Sequence, residues 1–218
     1  MSEINFFSGV LYKTGTVISL QTPPHSEWII HAKLSHHNEQ ADEQDAVDGV
    51  AISFAYATFR VQNRRKPDDR HAYMRVYMQV PWIGTEFSPP EERSRQAVPY
   101  EYREVLAMKE FASRGSEITP SLLAIDESFQ GPQGIVPGGH IVHMVFGRIP
   151  GIRLADNEVL PGFGYPLHTF FRKFEQRSQR DTIRMHFDKE YRNLKKMGWL
   201  PSTPWASNLI WNEESKRL

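Results

Sequence analysis

Five side chains in this 218-residue chain combine residue type and setting in a way that could serve chemistry: Arg75, Glu104, His143, Arg148 and Asn208. Arg75 sits inside HAYMRVYMQV (residues 71–80), where Ala72, Met74, Val76, Met78 and Val80 alternate with Tyr73, Arg75, Tyr77 and Gln79, the period of a β-strand with one apolar face. A cation in the middle of such a strand is costly if buried alone. It therefore calls for a carboxylate, unless Arg75 simply reaches water. Glu101 and Glu104 in YEYREVLAMKEFASR are the candidates, and Glu104 fits best because it precedes the inward pair Val105-Leu106. Asn208 lies in the terminal stretch GWLPSTPWASNLIWNEESKRL.

Together with the helix before it, this terminal stretch resembles the helix, loop and short strand that carry the machinery of kinase-like phosphotransferases. There the loop runs His-x-Asp, four residues, then Asn and two apolar residues. Asn208-Leu209-Ile210 fits the end of that pattern, while Pro201 and Thr203 take the places of the histidine and the aspartate. HIVHMVF followed by Gly147-Arg148-Ile149-Pro150-Gly151 resembles the hinge of aminoglycoside-phosphotransferase-like and related fungal protein-kinase-like proteins. Arg75 stands where that family has a lysine that pairs with a helix glutamate, here Glu104. The resemblance spans roughly residues 50 to 218 through the order of elements. It implies a degenerate, C-terminally truncated relative, since the chain stops at Leu218 before the strand that would bring the metal-binding aspartate. Arginine is not a conservative replacement for that lysine, and Asn208 alone cannot hold two magnesium ions. ATP with Mg²⁺ is accordingly not expected as a cofactor, no metal site is expected, and no catalytic residue is assigned. Arg75, Glu104, Arg148 and Asn208 remain as ligand-binding candidates.

Other polar clusters read as structure. His36 and His37 are adjacent and diverge, and the acids after them belong to a solvated connector. His140 and His143 point to opposite faces of a strand. Gly9 and Gly15 are far from a phosphate-binding glycine pattern. The chain has no cysteine, which removes thiolate chemistry and disulfides. Lys and Arg equal Asp and Glu at 26 each, so no general attraction to nucleic acid is expected. No apolar run reaches a membrane span and MSEINFFSGVLYKTG is a poor signal peptide, so a cytoplasmic location is expected.

These residues must be carried by short elements. Strands are expected at Phe6–Leu11 and Thr16–Leu20 as a hairpin, at Glu27–Leu34, at Val50–Val61, at His71–Val80, and at His140–Phe146, with the start of another strand near Ile118–Ala124. NRRKPDDR reads as a solvated hairpin tip, and Pro81–Pro99 as an ordered loop or short helix. Helices are expected at Tyr100–Arg114, Leu167–Arg177 and Asp181–Met197, the last with a stripe of Ile183, Phe187, Tyr191 and Leu194, and Leu154–Pro166 as loop. The expected fold is α+β: a kinase-like N-terminal lobe over residues 1–146, an antiparallel sheet plus one helix near 100–114. A hinge and a reduced, mainly helical portion over 147–218 follow it.

The functional expectation is a catalytically degenerate kinase-like protein that acts as a binding or interaction module. It would take a small molecule in the cleft between lobes, and a homodimer would cover the truncated lobe. The alternative is a small-molecule biosynthetic enzyme that re-uses the cleft for non-phosphotransfer chemistry. There Tyr73, Tyr77 and Arg148 would orient the substrate, with His143 as acid or base. A third reading is a mixed α/β interaction module without that ancestry. Neither nucleic acid nor membrane is expected as a partner.

Overall fold

The computed structural model describes residues 4–66, 72–155, 167–202 and 205–218. The chain divides into two compact units, Met1–Arg148 and Ile149–Leu218.

The first unit is built on six strands: β1 (Val17–Leu20), β2 (Ser26–Glu39), β3 (Phe54–Asn63), β4 (Ala72–Gln79), β5 (Leu122–Phe129) and β6 (His140–Phe146). They pair antiparallel in the order β1-β2-β3-β4-β6-β5. Alternation decides the two faces. Ala55, Ala57, Phe59 and Val61 of β3 and Ala72, Met74, Val76 and Met78 of β4 are buried in one core. The two alanines leave inner volume that larger groups fill. A 3₁₀ turn at Val10–Tyr12 brings in Tyr12, whose ring stacks on Phe59 at 5.4 Å and meets Phe7 edge-on at 5.4 Å. On the other face, Tyr77, Val142 and Met144 pack with Tyr102, Val105 and Met108. The last two belong to α3 (Arg103–Ser113). Two shorter helices, α1 (Glu43–Val47) and α2 (Pro90–Ser94), sit in the connections. The Asp42 carboxylate caps α1 by accepting from Asp45 N at 2.9 Å.

The edges of this sheet come together. Asp126 on β5 accepts through Oδ1 from Gln21 N (3.0 Å), Thr22 N (2.8 Å) and Thr22 Oγ1 (2.8 Å), just beyond β1. One carboxylate thus bridges two edges that share no backbone ladder, and the sheet is a nearly closed, barrel-like wrap. At one end, three buried amides fix the connections. Gln79 Nε2 donates to Gln96 O at 2.5 Å and its Oε1 accepts from Val98 N at 3.1 Å. Gln96 Oε1 accepts from Trp82 N at 3.0 Å, and Gln130 Nε2 donates to Gln79 O at 2.8 Å.

This architecture overturns the expected fold class. In place of an open lobe of sheet plus one helix, six strands nearly close on themselves, with three helices in their connections. In place of a mainly helical remainder, the second unit carries its own strand pair, β7 (Ile152–Arg153) with β8 (Ile210–Trp211). The physical reason is the seam: Asp126 and the N-terminal aromatics give β1 and β5 a shared interior that local patterning does not reveal. Phe6–Leu11 is not a strand, because β1 pairs with β2 instead. β2 runs on to Glu39 through part of the expected connector, with register shifts between Ile30 and Ala32 and between Lys33 and Ser35. The acidic half of the NRRKPDDR tip lies outside the described residues, as does the loop at 156–166.

In the second unit, α4 (Leu167–Lys173) and α5 (Arg177–Lys196) accompany the strand pair. Leu154, Phe170, Phe174, Ile183 and Trp211 form its core. α5 begins at Arg177 after Gln176, a turn before the expected Asp181. Asp181 instead pairs with Arg184 at 2.7 Å. Of the expected stripe only Ile183 is buried, while Phe187 is exposed and stacks on Tyr191 at 5.7 Å. Gly151 has φ 138°, and a Cβ there would press on the Trp211 carbonyl oxygen of β8. Gly151→Ala is therefore expected to cost about 2 kcal/mol, read as a lower urea midpoint by Trp fluorescence.

Candidate functional site

The outer face of β3, β4 and β6 gathers the polar chemistry of the first unit. Arg75 faces outward on β4, opposite Thr58 on β3 and Met144 on β6. Its Nε donates to Thr58 Oγ1 at 3.2 Å. Its Nη1 donates to both oxygens of Glu104, at 2.5 and 2.6 Å. The guanidinium lies 5.6 Å from the Tyr56 ring centre and 5.9 Å from that of Phe146, within the range of cation–π attraction. Glu104 stands in the first turn of α3, where the helix dipole also favours a carboxylate. It accepts a further short hydrogen bond from Tyr77 Oη. Burial alone would lower the Arg75 pKa, but Glu104 and Tyr77 more than reverse this and fix the cation. Burial, and after it the Glu104 charge, raise the Tyr77 hydroxyl well above its usual range, so it remains a donor.

Beside this pair lies an aromatic cluster that the sequence did not reveal. Tyr77 stacks on Tyr102 at 4.2 Å. Tyr102 Oη lies 2.5 Å from His140 Nε2, and His140 Nδ1 lies 3.1 Å from Val98 O. A carbonyl can only accept, so Nδ1 carries the proton and Nε2 takes the Tyr102 hydroxyl proton as an acceptor. Burial lowers the His140 pKa, with the Val98 contact opposing it.

The opposite face of β6 holds His143, whose Nε2 is 3.2 Å from Tyr12 Oη. Its Nδ1 is shut off from solvent and has no hydrogen-bond partner among the described residues. His143 is in register with Asp126 on β5. Burial brings the His143 pKa down to about 4, against the pull of Asp126. For Asp126, burial would raise the pKa, but the hydrogen bonds from Thr22 and Gln21 hold it below the usual carboxylate range. Partners that lie 104 to 131 residues away in sequence make this group invisible to local reading. The odd feature in the sequence, a histidine amid the apolar residues of HIVHMVF, was its only signal.

Of the four residues singled out as ligand-binding, the structure sets Arg75 against Glu104. Arg148 is exposed at the end of the first unit. Asn208 ends a 3₁₀ turn in the second unit, and Thr203 lies outside the described residues. The second unit also has an open polar hollow of about 320 Å³ along Gln176, Ser178, Thr182, Trp211, Glu213 and Lys216. The Glu213 carboxylate in it is already held by Lys216 and by Trp211 Nε1. Among the described residues no group of His, Asp and Glu is placed to hold a metal. No helix among them is long and apolar enough to cross a membrane.

Comparison with protein-family models, curated proteins and solved structures returns no match.

Proposed function

We propose that this chain is a binding module, and that the outer face around Arg75 takes a flat small molecule bearing an anionic group. One observation carries the reading: a guanidinium flanked by the half-buried rings of Tyr56 and Phe146, forked by a carboxylate that is itself partly exposed. Flat rings stack on such a platform. An anionic group exchanges with Glu104 for the fork of Arg75. Tyr77, Tyr102 and His140 serve as the rigid support of that platform, tied in turn to Glu104, to one another and to Val98 O by hydrogen bonds.

The probe is 8-anilinonaphthalene-1-sulfonate, which joins a flat ring to a sulfonate. Saturable fluorescence enhancement at one site is expected, weakened about tenfold in Arg75→Lys, which keeps the charge but loses the planar fork. Unchanged binding in that variant, with an unchanged circular dichroism spectrum, would overturn the assignment. A thermal shift with ATP that requires Mg²⁺ would overturn the non-catalytic reading.

A second reading, a small-molecule enzyme working by proton transfer, is favoured by His140 alone, since its tautomer is fixed and its Nε2 meets a tyrosine hydroxyl. Titration of the His140 ring by NMR tests it. A working acid or base should titrate between pH 5 and 8, whereas a support residue should stay neutral across that range.

A further inference from the structure

The outer face around Arg75 holds a second cation. Arg60 of β3 is exposed and shares the parity of Tyr56 and Thr58, so it stands on the same side of the sheet. The register sets Arg60 opposite Tyr73 of β4, while Arg75 lies opposite Thr58. The two arginines are therefore diagonal neighbours, about 7–8 Å apart at the backbone. Tyr73 adjoins both. Its half-buried ring lies 5.9 Å from that of Phe146 on β6, the same ring that flanks the Arg75 guanidinium.

The two cations differ in what answers them. In the first unit Arg75 has Glu104, Arg64 has Glu27, Lys109 has Glu127 and Arg114 has Glu110. Arg60 makes no ion pair or hydrogen bond among the described residues. Its cross-strand neighbours are Ala32 on β2 and Tyr73 on β4, and neither carries a negative charge. No acid stands at any outward position of β3 or β4. Once Glu104 has answered Arg75, one positive charge is left over at the border of the ring platform.

We propose that the ligand of this face is an aromatic dianion, with one acidic group in the fork of Arg75 and the second on Arg60. The inference rests on the reading of the Arg75 platform given above. A flat ring system seated against Tyr73 and Phe146 spans the diagonal, so acidic groups at its two ends meet both guanidiniums. Each guanidinium offers the planar fork that takes a carboxylate, sulfonate or phosphate through two parallel hydrogen bonds. A monoanion satisfies Arg75 and leaves Arg60 in water. An aliphatic dianion lacks the stacking area. Arg75 thus anchors the ligand, and Arg60 selects for the second charge.

Naphthalene-1,5-disulfonate and naphthalene-1-sulfonate are the probes, each titrated into the full chain by isothermal calorimetry. The disulfonate should bind about tenfold more tightly than the monosulfonate in about 50 mM NaCl, and the margin should shrink in about 500 mM NaCl. Arg60→Gln should erase the margin while changing the monosulfonate affinity less than about twofold, and Arg60→Lys should keep part of it. Arg60 is exposed, so circular dichroism should be unchanged in both variants. Ethane-1,2-disulfonate, with two charges and no ring, should not compete. Equal affinities for the two probes, or a margin that survives Arg60→Gln, would overturn the dianion and leave the Arg75 platform standing. Competition by the ringless disulfonate would overturn it as well, since charge alone would then suffice. Failure of the platform itself has a separate signature: Arg75→Lys would leave the monosulfonate affinity unchanged, or neither probe would bind, and both readings would fall.

Discussion

Lowering the pH from 7 to 4 is expected to cost this protein several kcal/mol of stability, most of it through the seam that nearly closes the sheet. The sign follows from two groups. His143 has its folded pKa near 4, below the ordinary value near 6.5. Between these values the unfolded chain binds a proton that the folded chain refuses, so stability is full above pH 6.5 and falls toward pH 4. That difference amounts to about 3 kcal/mol. Asp126 acts in the same direction at lower pH, because its hydrogen bonds to Gln21 and Thr22 require the carboxylate. Its contribution is present above the unfolded pKa and is lost as pH falls through the depressed folded one. Urea denaturation at pH 7, 5.5 and 4.5 measures the slope, and His143→Phe should flatten it between 6.5 and 4.5. A stability curve flat with pH in the parent chain would show that neither group is coupled to folding. At pH 7, Asp126→Ala should cost about 3 kcal/mol, since two backbone donors and a hydroxyl lose a charged acceptor.

The second large effect belongs to the ion pair on the outer face. Glu104→Ala leaves the Arg75 guanidinium and the Tyr77 hydroxyl without their shared acceptor, and should cost about 2 kcal/mol. The figure lies below the 3–5 kcal/mol of a wholly buried pair because both side chains keep some solvent. Replacing both partners, Arg75→Met with Glu104→Met, should cost less than either single removal, because no charge is left alone. A double-mutant cycle by thermal and urea melts measures this, and additive losses would mean that the pair does not couple.

How much of this could be read beforehand depends on the range of the interactions. The alternation in β4 and the helical spacing in α3 are local, so the strand, the helix and the meeting of Arg75 with Glu104 were readable from residues 71–114. Whether that pair binds a ligand is a separate question, left to the probe experiment. The inner packing of β3 could not be read in the same way, because Ala55 and Ala57 look like a weak face until Tyr12 and Phe7 fill the volume beside them. The seam was hidden for a related reason: Asp126 is one acid among 26, and only its contact with Thr22 distinguishes it. The expectation of a kinase-like lobe failed there, since element order does not say whether the sheet's outer edges meet. In α5 the apolar spacing of Phe187 and Tyr191 suggested core, but the second unit buries only Ile183 from that stripe.

The glutamine amides at the end of the sheet have a different consequence. Gln79, Gln96 and Gln130 hold backbone groups of three connections with side chains that have no proton to lose or gain. That end should therefore behave as a thermodynamic anchor. During mild acidification, amide hydrogens around Trp82, Val98 and Val136 should keep their slow exchange while those of Gln21 and Thr22 quicken first. The two ends of one sheet would then respond to acid through different groups, the seam through Asp126 and the far end through the buried His140 ring against Val98 O.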